Sequence, residues 1–200
     1  GSGTGGVYLD VGVIDAKGNI TVTNDNFYTG GDATINISGT GNQTLTGSGT
    51  AGEGRLPNVT INKASGNLTL SSVITVMGNW THTSMGTGSL ITTGSTVVFA
   101  MGYTAPNITV SGGHTLNNVQ IAQYANPSYA TSVTLSGTLT VNGDLTYLTY
   151  GGTVNDVTTD GGTFDIKGNF TGADIMTGGT TAITFSGTGA QTYNRGAAQD

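Results

Sequence analysis

Ser38-Gly39-Thr40-Gly41-Asn42-Gln43-Thr44 returns near the other end of the chain as Ser186-Gly187-Thr188-Gly189-Ala190-Gln191-Thr192, with six of seven positions identical. Each copy follows a short alternating stretch, Thr34-Ile35-Asn36-Ile37 or Ala182-Ile183-Thr184-Phe185. A second phrase, glycine, Asn or Asp, an apolar residue and threonine, recurs at Gly18-Asn19-Ile20-Thr21, Gly66-Asn67-Leu68-Thr69, Gly78-Asn79-Trp80-Thr81, Gly143-Asp144-Leu145-Thr146 and Gly168-Asn169-Phe170-Thr171. The phrases keep step: Gly18 leads Ser38 and Gly168 leads Ser186 by nearly equal intervals, and the step from Gly143 to Gly168 is only slightly longer. A recurrence of this length is the mark of a stacked repeat. It predicts an all-β chain, a β-solenoid (parallel β-helix) of about 20–25 residues per coil with glycine at the corners. A β-sandwich is the alternative, because it too spaces short strands closely.

Alternation supplies the strands. Ile20-Thr21-Val22-Thr23, Val59-Thr60-Ile61, Leu68-Thr69-Leu70, Ile74-Thr75-Val76, Ile108-Thr109-Val110, Val133-Thr134-Leu135 and Leu139-Thr140-Val141 each place aliphatic residues on one side and threonine on the other. The aliphatic sides are expected inside the coil and the threonines in water, where the β-branch still favours extended backbone. No stretch shows helical apolar spacing, and glycine interrupts almost every window.

Composition fits a wetted, uncharged array. Only 8% of residues are charged and 35 of 200 are glycine, against roughly 25% charged in ordinary soluble domains. The five Lys and Arg are scattered, at Lys17, Arg55, Lys63, Lys167 and Arg195, and the net charge is −6. Phosphate neutralisation needs clustered cations, so a nucleic-acid partner is not expected. There is no cysteine, which removes disulfides and thiolate metal sites. The longest strongly apolar run, Val97 to Met101, is far short of the roughly 20 residues of a membrane-spanning helix, and no membrane insertion is expected.

Positions 1–17 read as an N-terminal strand, with Val7, Leu9, Val11 and Val13 alternating on one side, either capping the solenoid or pairing with a neighbouring subunit; positions 18–200 read as the repeats. Because so little sequence follows Gln191-Thr192, the stack is expected to be continued by further repeats or by another subunit, whose strands would pair with its open edge.

The repeats resemble the β-strand-repeat proteins of bacterial and metagenomic surface proteins. The likeness lies in Ile37 to Thr44, Leu56 to Ile61, Gly66, Leu70 and Thr75-Val76-Met77-Gly78-Asn79-Trp80-Thr81, and extends over roughly positions 18–194, more weakly over 100–135. It implies a large secreted or surface-anchored adhesin-like chain and carries no catalytic residue.

Chemistry is sparse. Asp156, Asp160 and Asp165 lie close along one segment; turn-forming aspartate explains them, with a single calcium ion as the weak alternative and no other cofactor. Asp144 and Asp165, with Lys167, are the nearest approach to a carboxylate pair for polysaccharide cleavage, yet Asp144 occupies a repeat position that is Asn in the other copies. His82 and His114, far apart in the sequence, read as surface or turn residues. Tyr124, Tyr129, Tyr147 and Tyr150 are candidates for stacking on glycans. Trp80 and Phe170 fill the apolar place of the repeat and are expected in the core. The expected function is therefore an extracellular, non-enzymatic structural or adhesive module, a stalk or filament subunit that associates end to end or with neighbouring repeats of its own chain. A carbohydrate-binding or carbohydrate-processing β-helix is the alternative.

Overall fold

The computed structural model describes residue 9 and residues 11–23, 31–101, 107–124, 131–150, 157–172 and 178–195. The chain starts with β1 (Val13–Ala16) and β2 (Ile20–Thr21), then β3 (Thr34–Ile37) and β4 (Gln43–Thr46). Three-strand coils follow: β5 (Asn58–Asn62), β6 (Leu68–Ser71) and β7 (Val73–Val76), then β8 (Trp80–Ser84), β9 (Leu90–Ile91) and β10 (Thr96–Met101). Next come β11 (Asn107–Ser111), β12 (His114–Leu116) and β13 (Asn118–Tyr124), then β14 (Thr131–Ser136), β15 (Thr138–Val141) and β16 (Leu145–Tyr150). The last are β17 (Val157–Asp160), β18 (Thr163–Ile166) and β19 (Phe170–Thr171), then β20 (Ala182–Phe185) and β21 (Tyr193–Asn194).

These strands form a β-solenoid of about six turns with no helix among the described residues. One side is the seven-stranded sheet β1-β3-β5-β8-β11-β14-β17. A second side is the six-stranded sheet β21-β19-β16-β13-β10-β7, and the four-stranded sheets β2-β4-β6-β9 and β12-β15-β18-β20 share the third, between them in chain order. The β-sandwich alternative falls here. Every described strand pair is parallel, for example β3 with β5, β10 with β13 and β15 with β18, whereas a sandwich pairs its strands antiparallel. Register on the seven-stranded sheet sets Val13 beside Thr34, Thr34 beside Asn58 and Val59 beside Trp80. It continues with Trp80 beside Val110, Val110 beside Leu135 and Thr131 beside Val157. The step from Trp80 to Val110 is the longest of these, and on this sheet the two steps after it are longer than the three before it.

The core is the interior of the coil. Ile37, Ile61, Leu68, Trp80, Phe99, Val110, Leu139, Phe164 and Phe170 are all buried in one continuous cluster. Stacking supplies each aliphatic side chain with like neighbours above and below, so burial accumulates coil by coil. Within the six-stranded sheet, β10 is buried on both surfaces. Val97 to Met101 is wholly buried, and Met77, Val98, Ala100 and Ala122 form a second, outer cluster against Ala51, Val73 and Leu148. The apolar run in the sequence is the strand buried on two sides. Thr75 departs from the expected alternation for the same reason. It is buried, and its Oγ1 accepts from the Gly52 N–H at 2.9 Å, because the glycine-rich 47–56 segment lies over that side.

The N-terminal strand differs from expectation. Leu9 is not in a strand, although its carbonyl accepts from Ala33 N at 2.8 Å and its side chain packs on the core. Gly12, at φ +105°, breaks the phase. From there Ile14 and Ala16, not Val13, pair with the core residues Ile35 and Ile37. Val11 and Val13 are exposed, and Val7 lies outside the described residues. Val13–Ala16 itself is the first strand of the seven-stranded sheet.

Candidate functional site

The Asn or Asp of the second repeat phrase, and Asn42, Asn58 and Asn118 on other coils, stand at corners, and their side chains face the next coil. Asn58 Oδ1 accepts from Asn79 N at 2.8 Å, and Asn79 Oδ1 from Thr109 N at 2.7 Å. Asn42 and Asn67 pass the same bond on to Asn67 N and Ser89 N, at 2.9 and 3.0 Å. Asn118, Asp144 and Asn169 form a third column, accepting from the backbone N–H of Asp144, Asn169 and Thr192 at 3.0, 2.7 and 2.9 Å. At a corner the strand ladder is interrupted and backbone N–H groups would go unpaired, at a cost of roughly 1–3 kcal/mol each when buried. An amide or a carboxylate oxygen can accept this bond, and at Asp144 the acceptor is a carboxylate oxygen. The glycine before it is needed for close approach: a side chain on Gly168 would collide with the Gly143 carbonyl, and one on Gly66, at φ +72°, with the Gly41 carbonyl.

The Ser38–Thr44 phrase forms a tighter corner. Gln43 is buried, and its Nε2 donates to the carbonyls of Ala16 and Gly18, at 3.1 and 2.6 Å. From the following coil comes Lys63, 1% exposed. Its Nζ donates to Gly39 O, Gly41 O and Gln43 Oε1, at 2.5, 3.0 and 2.6 Å. An ammonium can be buried only when its protons meet acceptors, and here three oxygens converge on it. Lys63→Met is expected to lower the unfolding free energy by about 2 kcal/mol, since it leaves these acceptors unsatisfied. A urea titration with a change under about 0.5 kcal/mol, the range of an inconsequential surface substitution, would show that the corner does not depend on the ammonium.

The histidines were expected on the surface or in turns. The structure instead buries His114 against Trp80, whose Nε1 donates to His114 Nε2 at 3.0 Å. His82 stacks on His114 with ring centroids 4.6 Å apart and 16° between planes. Burial pushes the His114 pKa down to about 4, and lowers that of His82.

The remaining candidates do not converge. Tyr147 is a core residue, not a glycan platform. It is 1% exposed, its OH donates to Thr159 Oγ1 at 3.3 Å, and burial raises its pKa to about 12. Tyr124 and Tyr150 are register partners on adjacent strands; their side chains, and Tyr129 altogether, lie outside the described residues. Asp144 is engaged in the corner column, while Asp165 pairs in register with Thr140 and Thr184 on the neighbouring sheet. Asp160, the last residue of β17, accepts at Oδ1 from Thr180 N at 3.1 Å, a bond from one coil to the next and not within a turn, and Asp156 is outside the described residues. Among the described residues no three His, Asp or Glu side chains gather as a metal site.

Val11, Val13 and Ile14 at one end, and Phe185 and Tyr193 at the other, are five of the six large apolar side chains exposed among the described residues; the sixth is Ile91. Compared with known proteins, the chain matches no family model, no curated protein and no solved structure.

Proposed function

We propose that this chain is a stiff structural module of an extracellular microbial surface protein, a stalk or filament element that extends by stacking coil on coil. The observation that supports this reading is the unbroken parallel stacking of one coil on the next in the seven-stranded sheet. Along its length every described strand has a parallel partner, and the corner columns are closed by hydrogen bonds from one coil to the next. Threonine, serine and asparagine wet the sides without charge, as suits a long fibre outside the cell. The function assigned is mechanical and adhesive, with no chemical step.

Negative-stain electron microscopy of the full chain over a concentration series tests this. Filaments of constant width that lengthen with concentration are the expected result. Monodisperse short rods at every concentration would remove self-assembly and leave a stalk segment; compact particles with no long axis would overturn the stiff-module reading.

A further inference from the structure

We propose that the solenoid has a hinge between the coil β8–β10 and the coil β11–β13, and that His114, held between Trp80 and His82, is the acid-released latch that keeps it shut. The inference goes beyond the stacking function, since it concerns motion within one chain and holds whether or not chains assemble.

The hinge follows from what each side of the coil does at this junction. On the six-stranded sheet the ladder runs straight through, with β10 and β13 in register over six positions, from Thr96 beside Asn118 to Met101 beside Gln123. On the seven-stranded sheet β8 and β11 share one register pair, Trp80 with Val110, whereas β5 and β8 share four and β11 and β14 share five. On the third side the wall is interrupted: β9 ends one four-stranded sheet and β12 begins the other. The two stacks are thus joined firmly along one side, and the corner opposite that side is the one free to open.

At that corner a coil passes from the seven-stranded sheet to the third side. The other junctions close it with backbone bonds: Lys63 N donates to Ser84 O at 2.9 Å, Gly112 N to Ser136 O at 2.5 Å and Thr163 N to Gly137 O at 2.9 Å. Between β8–β10 and β11–β13, side chains take their place. His82 N donates to Ser111 Oγ at 2.6 Å, Trp80 Nε1 donates to His114 Nε2 at 3.0 Å, and the two imidazoles stack 4.6 Å apart. Trp80 and His82 belong to the earlier coil, Ser111 and His114 to the later one. In register, His82 lies beside Ile61 and His114 beside Leu139, both fully buried. Each histidine therefore stands where the adjacent coil carries an aliphatic core residue, and an apolar contact across the junction has been exchanged for a titratable one.

Such a latch answers to acid. Trp80 Nε1–H can only donate, so its bond needs a bare Nε2 on His114. A proton there sets two N–H groups against each other and places a charge beside His82. The other strands around the ring, β9, β10, β11 and β15, carry no charged or titratable side chain. Burial holds the His114 pKa at about 4 in the closed form, and opening returns the ring to water, where about 6.5 is expected. The open form binds the proton more tightly, so the open-to-closed ratio rises about 70-fold between pH 7.5 and pH 4.5.

Hydrogen–deuterium exchange of the full chain, read by mass spectrometry and corrected for the intrinsic rate at each pH, tests this. From pH 7.5 to pH 4.5, segments 80–84 and 107–116 are expected to lose protection by more than about tenfold. Segments 96–101 and 118–123, along the hinge line, and 34–46 and 138–148, in the stacks on either side, are expected to keep theirs. In the His114→Gln chain, which has no proton to gain, 80–84 and 107–116 should stay protected as well. Loss spread evenly over the chain means global unfolding, and equal loss in 96–101 means separation of the stacks; either overturns the hinge, as does no loss at all. Selective loss that persists in His114→Gln overturns the latch. Should that variant not fold, a pH series on the unaltered chain decides: the loss must set in below about pH 6.5, and an onset only below pH 4 overturns the latch.

Discussion

Trp80→Ala is expected to cost about 4 kcal/mol of unfolding free energy, within the 3–5 kcal/mol found when a buried aromatic is truncated. Trp80 is fully buried at the start of β8, where it pairs with Val59 of the coil on one side and Val110 of the coil on the other. Its ring meets Phe99 edge-on at 6.1 Å and 73°, so it crosses the narrow interior and touches strands of two sheets. The interior of a solenoid has little means of collapsing onto a cavity, since its width is fixed by the backbone ladders on every side. Truncation also leaves His114 Nε2 without its donor. Because each coil contacts only its neighbours, a weak coil in the middle of the stack divides the structure. The urea transition of the alanine variant, followed by circular dichroism, should therefore move to lower urea and broaden into two steps. Trp80→Phe should recover more than half of the loss while still lacking the hydrogen bond. A single sharp transition within about 1 kcal/mol of the unaltered chain, the effect of an ordinary substitution, would mean that Trp80 does not join the two halves.

The repeat phrases made the solenoid legible, because a corner that must satisfy orphan N–H groups and admit close backbone approach accepts very few residue types. Glycine followed by Asn or Asp meets both needs locally. What that phrase does not encode is which corner of the coil it will turn. Ser38–Thr44 joins the seven-stranded sheet to one four-stranded sheet, whereas Ser186–Thr192 joins the other four-stranded sheet to the six-stranded one. The side is decided by the summed length of all intervening coils, a quantity no local pattern carries. The same holds for the histidines. They are remote in sequence, and only the long register step from Trp80 to Val110 brings them ring to ring. Thr75 misled for a different reason. Alternation reports one buried side, and it fails where a glycine-rich segment with no alternation of its own covers the other. Lys63 gave no signal at all, since a lone lysine after a strand is ordinarily in solvent. Its partners are carbonyls fixed by the corner of a different coil.

Acid is expected to destabilise the chain through His114, and the hydrogen bond from Trp80 fixes the sign. Trp80 Nε1 carries a proton and can only donate, so His114 Nε2, at 3.0 Å, must be the bare nitrogen of a neutral ring. The ring's proton then sits on Nδ1, 3.3 Å from Gly112 O. Protonating Nε2 would set two N–H groups against each other inside the core, next to a second imidazole stacked at 4.6 Å. Burial accordingly holds the pKa at about 4, against about 6.5 for a free histidine. The folded pKa is the lower one, so the unfolded chain binds more protons between these values. Stability is complete above pH 6.5 and falls as the pH drops toward 4. At about 1.4 kcal/mol per pH unit, the loss attributable to His114 is about 2.5 kcal/mol at pH 4.5 and approaches about 3.5 kcal/mol well below pH 4. Carboxylates titrate over the same range, so the measurement is a difference between two proteins. His114→Gln keeps an acceptor for Trp80 Nε1 and has no proton to gain. Urea titrations of both chains at pH 7.5 and 4.5 should show the unaltered chain losing about 2 kcal/mol more than the variant. Parallel losses would mean that His114 is protonated in the folded chain without penalty, and that the bond from Trp80 does not hold the ring neutral.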